Sequence, residues 1–208
     1  MAADVRHHGS VARVVVRWSS RVDATDLLLA EASELLGRAA FVEHRCLRCG
    51  ADDHGRPFLV GAPQLRVSLA RADGLGIVAL TEVGPVGVDL ERADAAGFEG
   101  FAQAALHPDE RAHTPQEATR IWVRKEAVLK ATGHGLGVDP RQVRISEARQ
   151  PPAMIDWLAP DHPGEAWLAD VPVADGWAAA VAVLTPVRHD IVLDEGWSTV
   201  GAGRHVLR

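Results

Sequence analysis

Lysine and cysteine are scarce in this chain of 208 residues, and long hydrophobic runs are missing. The longest apolar run, Trp177 to Leu184, is far too short for a membrane span, which needs about 20 residues. The segment Met1 to Ser10 is polar and lacks the apolar centre of a signal peptide. We therefore predict a cytoplasmic protein that does not bind a membrane.

The two cysteines, Cys46 and Cys49, are too few and too close together for a disulfide framework. Their Cys-x-x-Cys spacing, followed by Gly50, is typical of one half of a zinc site. Such a site needs four ligands, and His44 and His54 are the nearby histidines. Because a second pair is missing, we favour a reduced cysteine pair in a turn over zinc.

The charge of the chain is unevenly distributed. Residues 1–86 carry ten basic and ten acidic side chains, whereas residues 87–208 carry twelve basic and eighteen acidic ones. An acidic second half argues against a nucleic-acid surface and is compatible with a metal site. The apolar fraction of 47% is sufficient for a well-formed core.

Strand and helix patterns alternate along the chain. A tight turn at Asp73-Gly74 predicts a hairpin between strands over 64–70 and 76–80. His107-Pro108-Asp109-Glu110 predicts a helix start, with Glu110 as a residue that complements the helix dipole. We also predict strands over 11–18, 84–92, 142–146, 166–168 and 177–185 and helices over 23–38, 97–106 and 118–131. Residues 186–208 show little periodicity, and we expect a poorly ordered tail.

Both lysines of the chain, Lys125 and Lys130, lie in the helix predicted over 118–131. Gly133 and Gly135 follow this helix and supply the backbone freedom that ends it. On the helix, Trp122, Glu126 and Lys130 are four residues apart and therefore share one face. A carboxylate and an amine converge on that face, which makes it the strongest candidate for a functional surface.

The strand over 84–92 carries a second set of acidic side chains. Val88 and Leu90 point to one face of this strand, and Asp89 and Glu91 point to the other. Two carboxylates at this spacing repel each other, and a divalent cation removes that repulsion. Taken alone, the pair is explained as a solvated strand face. Glu126 on a neighbouring helix would supply a third carboxylate and favours a metal.

Three segments, in this order, resemble the 4′-phosphopantetheinyl transferase superfamily, and most closely its longer type, which activates polyketide and nonribosomal peptide synthetases. The first is His54-Gly55-Arg56-Pro57, followed by the strand Val67-Ser68-Leu69. The second is Gly87-Val88-Asp89-Leu90-Glu91. The third is Trp122-x-x-Lys125-Glu126-Ala127-x-x-Lys130-Ala131-x-Gly133-x-Gly135-Leu136. The resemblance covers about residues 44 to 185 and rests mainly on the last two segments together.

The resemblance implies an α+β fold of two similar α/β lobes, a pseudo-dimer with the active site in the cleft between them. The lobes would span residues 1–86 and 87–185, and residues 186–208 would form the tail. The implied reaction transfers the phosphopantetheine arm of coenzyme A to a serine of an acyl or peptidyl carrier protein and releases 3′,5′-ADP. We expect a monomer.

The same resemblance implies roles for individual residues. Asp89, Glu91 and Glu126 would hold Mg²⁺ against the pyrophosphate of coenzyme A. Glu126 would help to take the proton of the serine, and Lys130 would neutralise phosphate charge. The catalytic set would therefore be Glu126, Lys130 and Asp89, with Lys125 as a second phosphate contact or a surface pair.

Coenzyme A would bind to the loop His54-Gly55-Arg56-Pro57, which would surround the adenine and ribose. Arg71 would replace a family histidine that contacts the nucleotide phosphates, because Ala70-Arg71-Ala72 stands where the family has a Ser-His-Ser-like run. A basic N-terminal helix of longer members is also missing, and Arg38, Arg45 and Arg48 are the available substitutes. These departures leave two alternatives open: a repurposed enzyme, or a noncatalytic member that binds coenzyme A, a nucleotide or a carrier protein.

Overall fold

The computed structural model describes residues 12–46, 49–186 and 191–197, and its fold is mixed α/β. The elements of the first part of the chain are β1 (Ala12–Ser19), α1 (Ala24–Leu36), β2 (Val42–Arg45), β3 (Arg56–Leu59), β4 (Arg66–Ala72) and β5 (Leu75–Thr81). The second part contains β6 (Val86–Arg92), α2 (Phe101–Ala105), α3 (Pro115–Thr132), β7 (Val143–Ile145), β8 (Met154–Trp157), β9 (Ala166–Asp170), β10 (Trp177–Leu184) and β11 (Ile191–Trp197).

The first sheet has the strand order β11-β1-β5-β4, and α1 packs on one of its faces. The predicted hairpin is confirmed: β4 and β5 are antiparallel, and Asp73 and Gly74 have φ values of 41° and 80°. Along β5, Val78 and Leu80 pack with the α1 residues, whereas Ile77 and Ala79 face the opposite way, as alternation in a strand requires.

The second sheet has the order β6-β10-β9, and α3 packs on it. Along β10, Ala180 and Ala182 lie under α3, whereas Val181 and Val183 belong to a core shared with β1 and β5 of the first sheet. The two sheets therefore share one apolar core and each carries one helix. Two short hairpins, β2-β3 and β7-β8, complete the described part of the chain.

Helix α3 lies unusually close to β6 at Gly87. A Cβ atom at this position would lie 2.0 Å from the carbonyl oxygen of Ala127 and 2.5 Å from the backbone nitrogen of Ala131. Real Cβ atoms do not approach other heavy atoms so closely, so this packing requires glycine. The contact brings the helix down onto the strand face that carries Asp89 and Glu91.

The helix predicted to start at His107 does not form, because residues 107–114 are not helical. The Glu110 carboxylate closes a turn instead: its Oε2 accepts a hydrogen bond from the backbone nitrogen of His107 over 2.8 Å. Helix α3 begins at Pro115, where the Thr114 side chain accepts from the backbone nitrogen of Glu117 and caps the helix.

The expected unstructured tail is also corrected, since Ile191–Trp197 forms β11 and pairs in parallel with β1. This strand has no alternating pattern, so periodicity did not reveal it. The remaining residues of the predicted tail beyond Pro186, 187–190 and 198–208, lie outside the described residues. Within the described ranges, no helix has the length and apolar character needed to cross a membrane.

We predict that Gly87→Ala lowers the free energy of unfolding by about 1–3 kcal/mol or more, because the added methyl group has no space beneath α3. Urea denaturation followed by circular dichroism measures the effect. Gly137→Ala is the matched control, since a Cβ at Gly137 meets nothing within 4 Å. Equal stability of the two variants would contradict the proposed close contact.

Candidate active site

A cavity of about 660 Å³ is a candidate site in the described part of the chain, and we call it the main cavity. Strands β2, β3 and β4 line one side, and the end of α3 with the glycine turn that follows lines the other. The titratable side chains on its wall are Cys46 and five basic ones, His44, His54, Arg56, Lys130 and His134. This set of nitrogen donors suits an anionic ligand.

All four residues of the segment His54-Gly55-Arg56-Pro57 lie on the cavity wall. Gly55 has φ 96°, and a Cβ there would lie 2.6 Å from the carbonyl oxygen of Arg45, so the chain can turn here only with glycine. The Nη2 atom of Arg56 is buried and has no hydrogen-bond partner among the described residues. Burial, and then repulsion by Arg66, lower the pKa of Arg56, and a bound anion would satisfy this group.

The three predicted carboxylates lie between β6 and α3. Asp89 is buried with 5% exposure, Glu126 is buried with 9%, and Glu91 is half-buried. Lys130 Nζ donates to Asp89 Oδ1 over 2.7 Å and to the carbonyl oxygen of Val88 over 3.1 Å. Because Lys130 also lines the main cavity, it joins the carboxylates to the cavity wall.

Negative charge at this position is only partly compensated. Burial raises the pKa of Glu126 to about 7, repulsion from Asp89 and Glu91 adds to the shift, and Lys130 opposes it. Burial also raises the pKa of Asp89 in spite of its bond to Lys130. The pKa of Glu91 is raised by burial and then by Asp89. A single lysine thus faces three interacting carboxylates.

These residues fit a hard divalent cation. Asp89 Oδ2 is buried and has no hydrogen-bond partner among the described residues, so one carboxylate oxygen is available for a ligand bond. Mg²⁺ prefers oxygen ligands and substrate phosphates. In the ranges that the structure describes, however, only Cys46, Cys49 and His54 place three metal-ligating atoms within 4.8 Å of one another. The three carboxylates are therefore more widely spaced than that.

Comparison with known proteins identifies the family. Residues 85–182, which contain β6 and α3 with all three carboxylates and Lys130, match the model of the 4′-phosphopantetheinyl transferase superfamily. A holo-[acyl-carrier-protein] synthase from Verminephrobacter eiseniae (strain EF01-2) is 32% identical over an alignment of 126 residues that covers 54% of this chain and 93% of that protein. The chain belongs to the 4′-phosphopantetheinyl transferase superfamily. The enzyme class predicted from the sequence is thereby confirmed at the level of the superfamily.

A solved structure, the holo-[acyl-carrier-protein] synthase of Thermotoga maritima, also resembles the chain. It is 26% identical, with a TM-score of 0.39 and coverage of 50% of this chain. The chain spans 63% of that structure's own length. The family match begins at residue 85, so the cavity-lining loop at His54 lies outside it.

The structure corrects the role predicted for Lys125. This side chain is completely buried, and its Nζ donates to the carbonyl oxygens of Ala105, Pro140 and Val143 over 2.7–3.0 Å. It also forms an ion pair of 2.6 Å with Glu110. A phosphate cannot reach a lysine with these partners, and a surface pair is excluded by its burial. In this superfamily member Lys125 is a structural residue.

Glu110 was interpreted as a helix-dipole residue, and this is wrong. Its Oε1 accepts from the backbone nitrogen of Ile145 over 2.7 Å, and its Oε2 accepts from His107. Burial lowers the pKa of Lys125, and Glu110 opposes that shift. The pair therefore fastens α3 to the chain on both sides of it. No local pattern in the sequence links two residues that are far apart in this way.

Arg71 also has a different place from the one predicted. Its guanidinium binds both carboxylate oxygens of Asp23 over 3.0 Å and donates to the Thr25 hydroxyl. These contacts lie at the start of α1, and Arg71 is not among the residues that line the main cavity. The pair with Arg71 is the main reason why the pKa of Asp23 falls to about 2.

Arg38 and Arg45 do not line the main cavity either, since Arg38 donates to the carbonyl oxygen of Gly61 over 2.9 Å and Arg45 lies on another surface of β2. Arg48 lies outside the described residues.

Two residues that we did not predict belong to the site. His134 lines the cavity, and Ser68 Oγ accepts from the backbone nitrogen of Val88 over 3.1 Å. The sequence could have indicated both residues, since Ser68 belongs to the Val67-Ser68-Leu69 segment and His134 lies between Gly133 and Gly135.

We predict that Lys125→Met lowers the free energy of unfolding by roughly 3–5 kcal/mol, because Glu110 would be left as an uncompensated buried charge. The double variant Lys125→Met/Glu110→Gln should regain part of that loss. Guanidinium denaturation of both variants provides the measurement. A Lys125→Met protein as stable as the wild type would refute the buried pair.

We predict that Glu126 makes the free energy of unfolding depend on pH when no divalent cation is present. Its pKa rises from 4.5 to about 7 on folding, so the folded state binds an extra proton between these pH values. The free energy of unfolding therefore falls as the pH rises through this window. The side chain of Glu126→Gln is neutral at every pH and avoids the cost of a buried charge. At pH 8 the variant should therefore be more stable than the wild type by roughly 2–3 kcal/mol.

Urea denaturation in EDTA at a series of pH values measures this difference, which should vanish toward the acidic end of the window. Glu34→Gln, which replaces an exposed carboxylate of α1, is the matched control. A Glu126→Gln variant that is less stable than the wild type at pH 8 would contradict the raised pKa of Glu126.

Proposed function

We propose that this protein transfers the 4′-phosphopantetheine arm of coenzyme A to a serine of an acyl or peptidyl carrier protein and releases 3′,5′-ADP. The observation that carries the proposal is the position of Lys130, which lines the main cavity and also donates to Asp89 over 2.7 Å. A ligand in the cavity can therefore contact the carboxylate cluster through Lys130. The similarity to a relative named as a holo-[acyl-carrier-protein] synthase supports the same reaction.

Coenzyme A has an anionic end that suits the cavity wall. Arg56 offers an unsatisfied guanidinium nitrogen, and His44 on the same side of the cavity and His134 on the other side provide further donors. We place the nucleotide against the His54-Gly55-Arg56-Pro57 loop and the pyrophosphate near Lys130. Charge-assisted hydrogen bonds from these groups would orient the scissile phosphate toward Glu126.

The transfer forms a bond between the serine oxygen and the phosphorus next to the pantetheine arm, and it breaks the pyrophosphate bond to 3′,5′-ADP. Glu126, four residues before Lys130 on α3, would accept the serine proton as the general base. Lys130 neutralises the charge that develops on the phosphate oxygens. Asp89 keeps Lys130 in place through their ion pair.

Mg²⁺, when bound, would neutralise the pyrophosphate and polarise the reacting phosphorus. Asp89, Glu91 and Glu126 would hold it. The uncompensated charge of these side chains and the free Oδ2 of Asp89 support this assignment.

We further propose two lobes, residues 1–86 and 87–185, with the cleft between them formed by the main cavity. Each proposed lobe has one helix packed on antiparallel strands: α1 on β4 and β5, and α3 on β6 and β10. This shared arrangement supports a pseudo-dimer. Strand β11, which lies in the segment predicted as a tail, pairs with β1 of the first lobe. Polyketide or nonribosomal peptide carrier domains are the proposed class of partner.

Intact-mass spectrometry of apo carrier proteins incubated with the protein, coenzyme A and Mg²⁺ tests this function. We expect the mass of one phosphopantetheine arm to be added, and Glu126→Gln should slow the transfer by roughly 10²- to 10⁴-fold. Arg56→Ala should raise the KM for coenzyme A. Arg71→Ala should transfer at the wild-type rate, because its side chain lies outside the cavity.

No transfer to any carrier protein, with coenzyme A still bound in calorimetry, would contradict the catalytic proposal and favour a binding role. Equal rates for Glu126→Gln and the wild type would contradict the assignment of the base.

A further inference from the structure

A cluster of two cysteines and a histidine lies at the main cavity, and two of its members, Cys46 and His54, line the cavity wall. One ligand atom from each of Cys46, Cys49 and His54 lies within 4.8 Å of the other two. The Sγ of Cys49 is 3.3 Å from Nε2 of His54. Neither cysteine is part of a disulfide bond. Thiolate and imidazole are the ligand types that Zn²⁺ prefers in proteins.

Two backbone hydrogen bonds hold Cys46 close to Gly50 and Ala51. The backbone nitrogen of Cys46 donates to the carbonyl oxygen of Ala51 over 2.8 Å, and that of Gly50 donates back to Cys46 over 2.9 Å. Gly50, with φ 75°, provides the left-handed position directly after the second cysteine. The two Sγ atoms lie within 4.8 Å of each other, a separation that allows both to bind one ion.

Asp53 supplies a second, independent indication. Its Oδ1 lies 2.6 Å from Nδ1 of His54. A carboxylate accepts at this distance, so Nδ1 carries a hydrogen, and in the neutral imidazole the lone pair then lies on Nε2, the nitrogen that faces Cys49. Ligating histidines in metal sites are oriented in the same way by a carboxylate behind the ring.

We propose that Cys46, Cys49 and His54 bind one Zn²⁺, with Asp53 as the positioning residue for His54 and a solvent molecule in the fourth position. His54 precedes Gly55, whose backbone already packs against Arg45 and Cys46. The ion would join β2 to the start of β3 and fix this part of the cavity wall. If the proposed function holds, the same ion stabilises the loop that contacts coenzyme A.

Metal analysis tests the site directly. The untagged full-length protein, reduced and exchanged into metal-free buffer after incubation with Zn²⁺, should retain about one zinc per chain. Replacement by Co²⁺ should give a thiolate-to-cobalt charge-transfer band and the strong visible bands of tetrahedral coordination. Substoichiometric zinc, or no charge-transfer band with Co²⁺, would overturn the proposal.

Single variants identify the ligands. Cys49→Ser and His54→Ala should abolish the charge-transfer band or weaken metal binding strongly, and Asp53→Asn should weaken it by about 10- to 100-fold. His113→Ala, an exposed histidine elsewhere, is the matched control and should bind as the wild type does. Unchanged metal binding in Cys49→Ser, with its circular dichroism spectrum intact, would also overturn the site.

These measurements contain no coenzyme A and no carrier protein. A protein that binds no zinc but transfers the phosphopantetheine arm would therefore refute the metal site alone. A protein that binds zinc but transfers nothing would refute the proposed function alone.

Discussion

The close contact between α3 and β6 at Gly87 is the constraint on which the rest of the site depends. With no side chain at Gly87, the helix backbone approaches the strand to a distance that any larger residue would prevent. Asp89 follows on the same face of the strand, and Lys130 reaches down to it from the helix. A helix held a few ångströms further away could not form this ion pair, and Glu126 would no longer interact with Asp89 and Glu91.

The two lysines of the chain show how one helix serves both structure and chemistry. Lys125 is enclosed, with three carbonyl oxygens and Glu110 around its ammonium group, so its charge is fully compensated. Lys130 is partly open to the main cavity and faces more negative charge than it can balance. Burial of a compensated charge holds the helix in place, whereas the uncompensated cluster is available for a cation and a phosphate. The contacts of Lys125 therefore stabilise the helix against the repulsion between the carboxylates around Lys130.

Local patterns predicted the elements that carry the site. Alternation along the strand separated Val88 and Leu90 from Asp89 and Glu91, and helical spacing placed Glu126 and Lys130 on one face. Glycine pairs and the Asp-Gly turn predicted where elements end. These features depend on neighbours in sequence, so a single chain is sufficient to detect them.

Contacts between distant residues could not be predicted in the same way. Glu110 was taken for a helix-dipole residue because Pro108 and two acids imitate a helix start, yet its partners are Lys125 and Ile145. Arg71 was placed on coenzyme A by its position in a motif, but its guanidinium binds Asp23 at the start of α1. The strand β11 pairs with β1 at the other end of the chain and has no periodicity of its own.

A crystal structure of the protein with coenzyme A and Mg²⁺ would test the central claim most directly. Our account predicts the pyrophosphate beside Lys130, the nucleotide against the His54-Gly55-Arg56-Pro57 loop, and a metal ion held by Asp89, Glu91 and Glu126. Coenzyme A bound outside the main cavity, for example near Arg71, or a metal ion that does not contact these carboxylates, would contradict it.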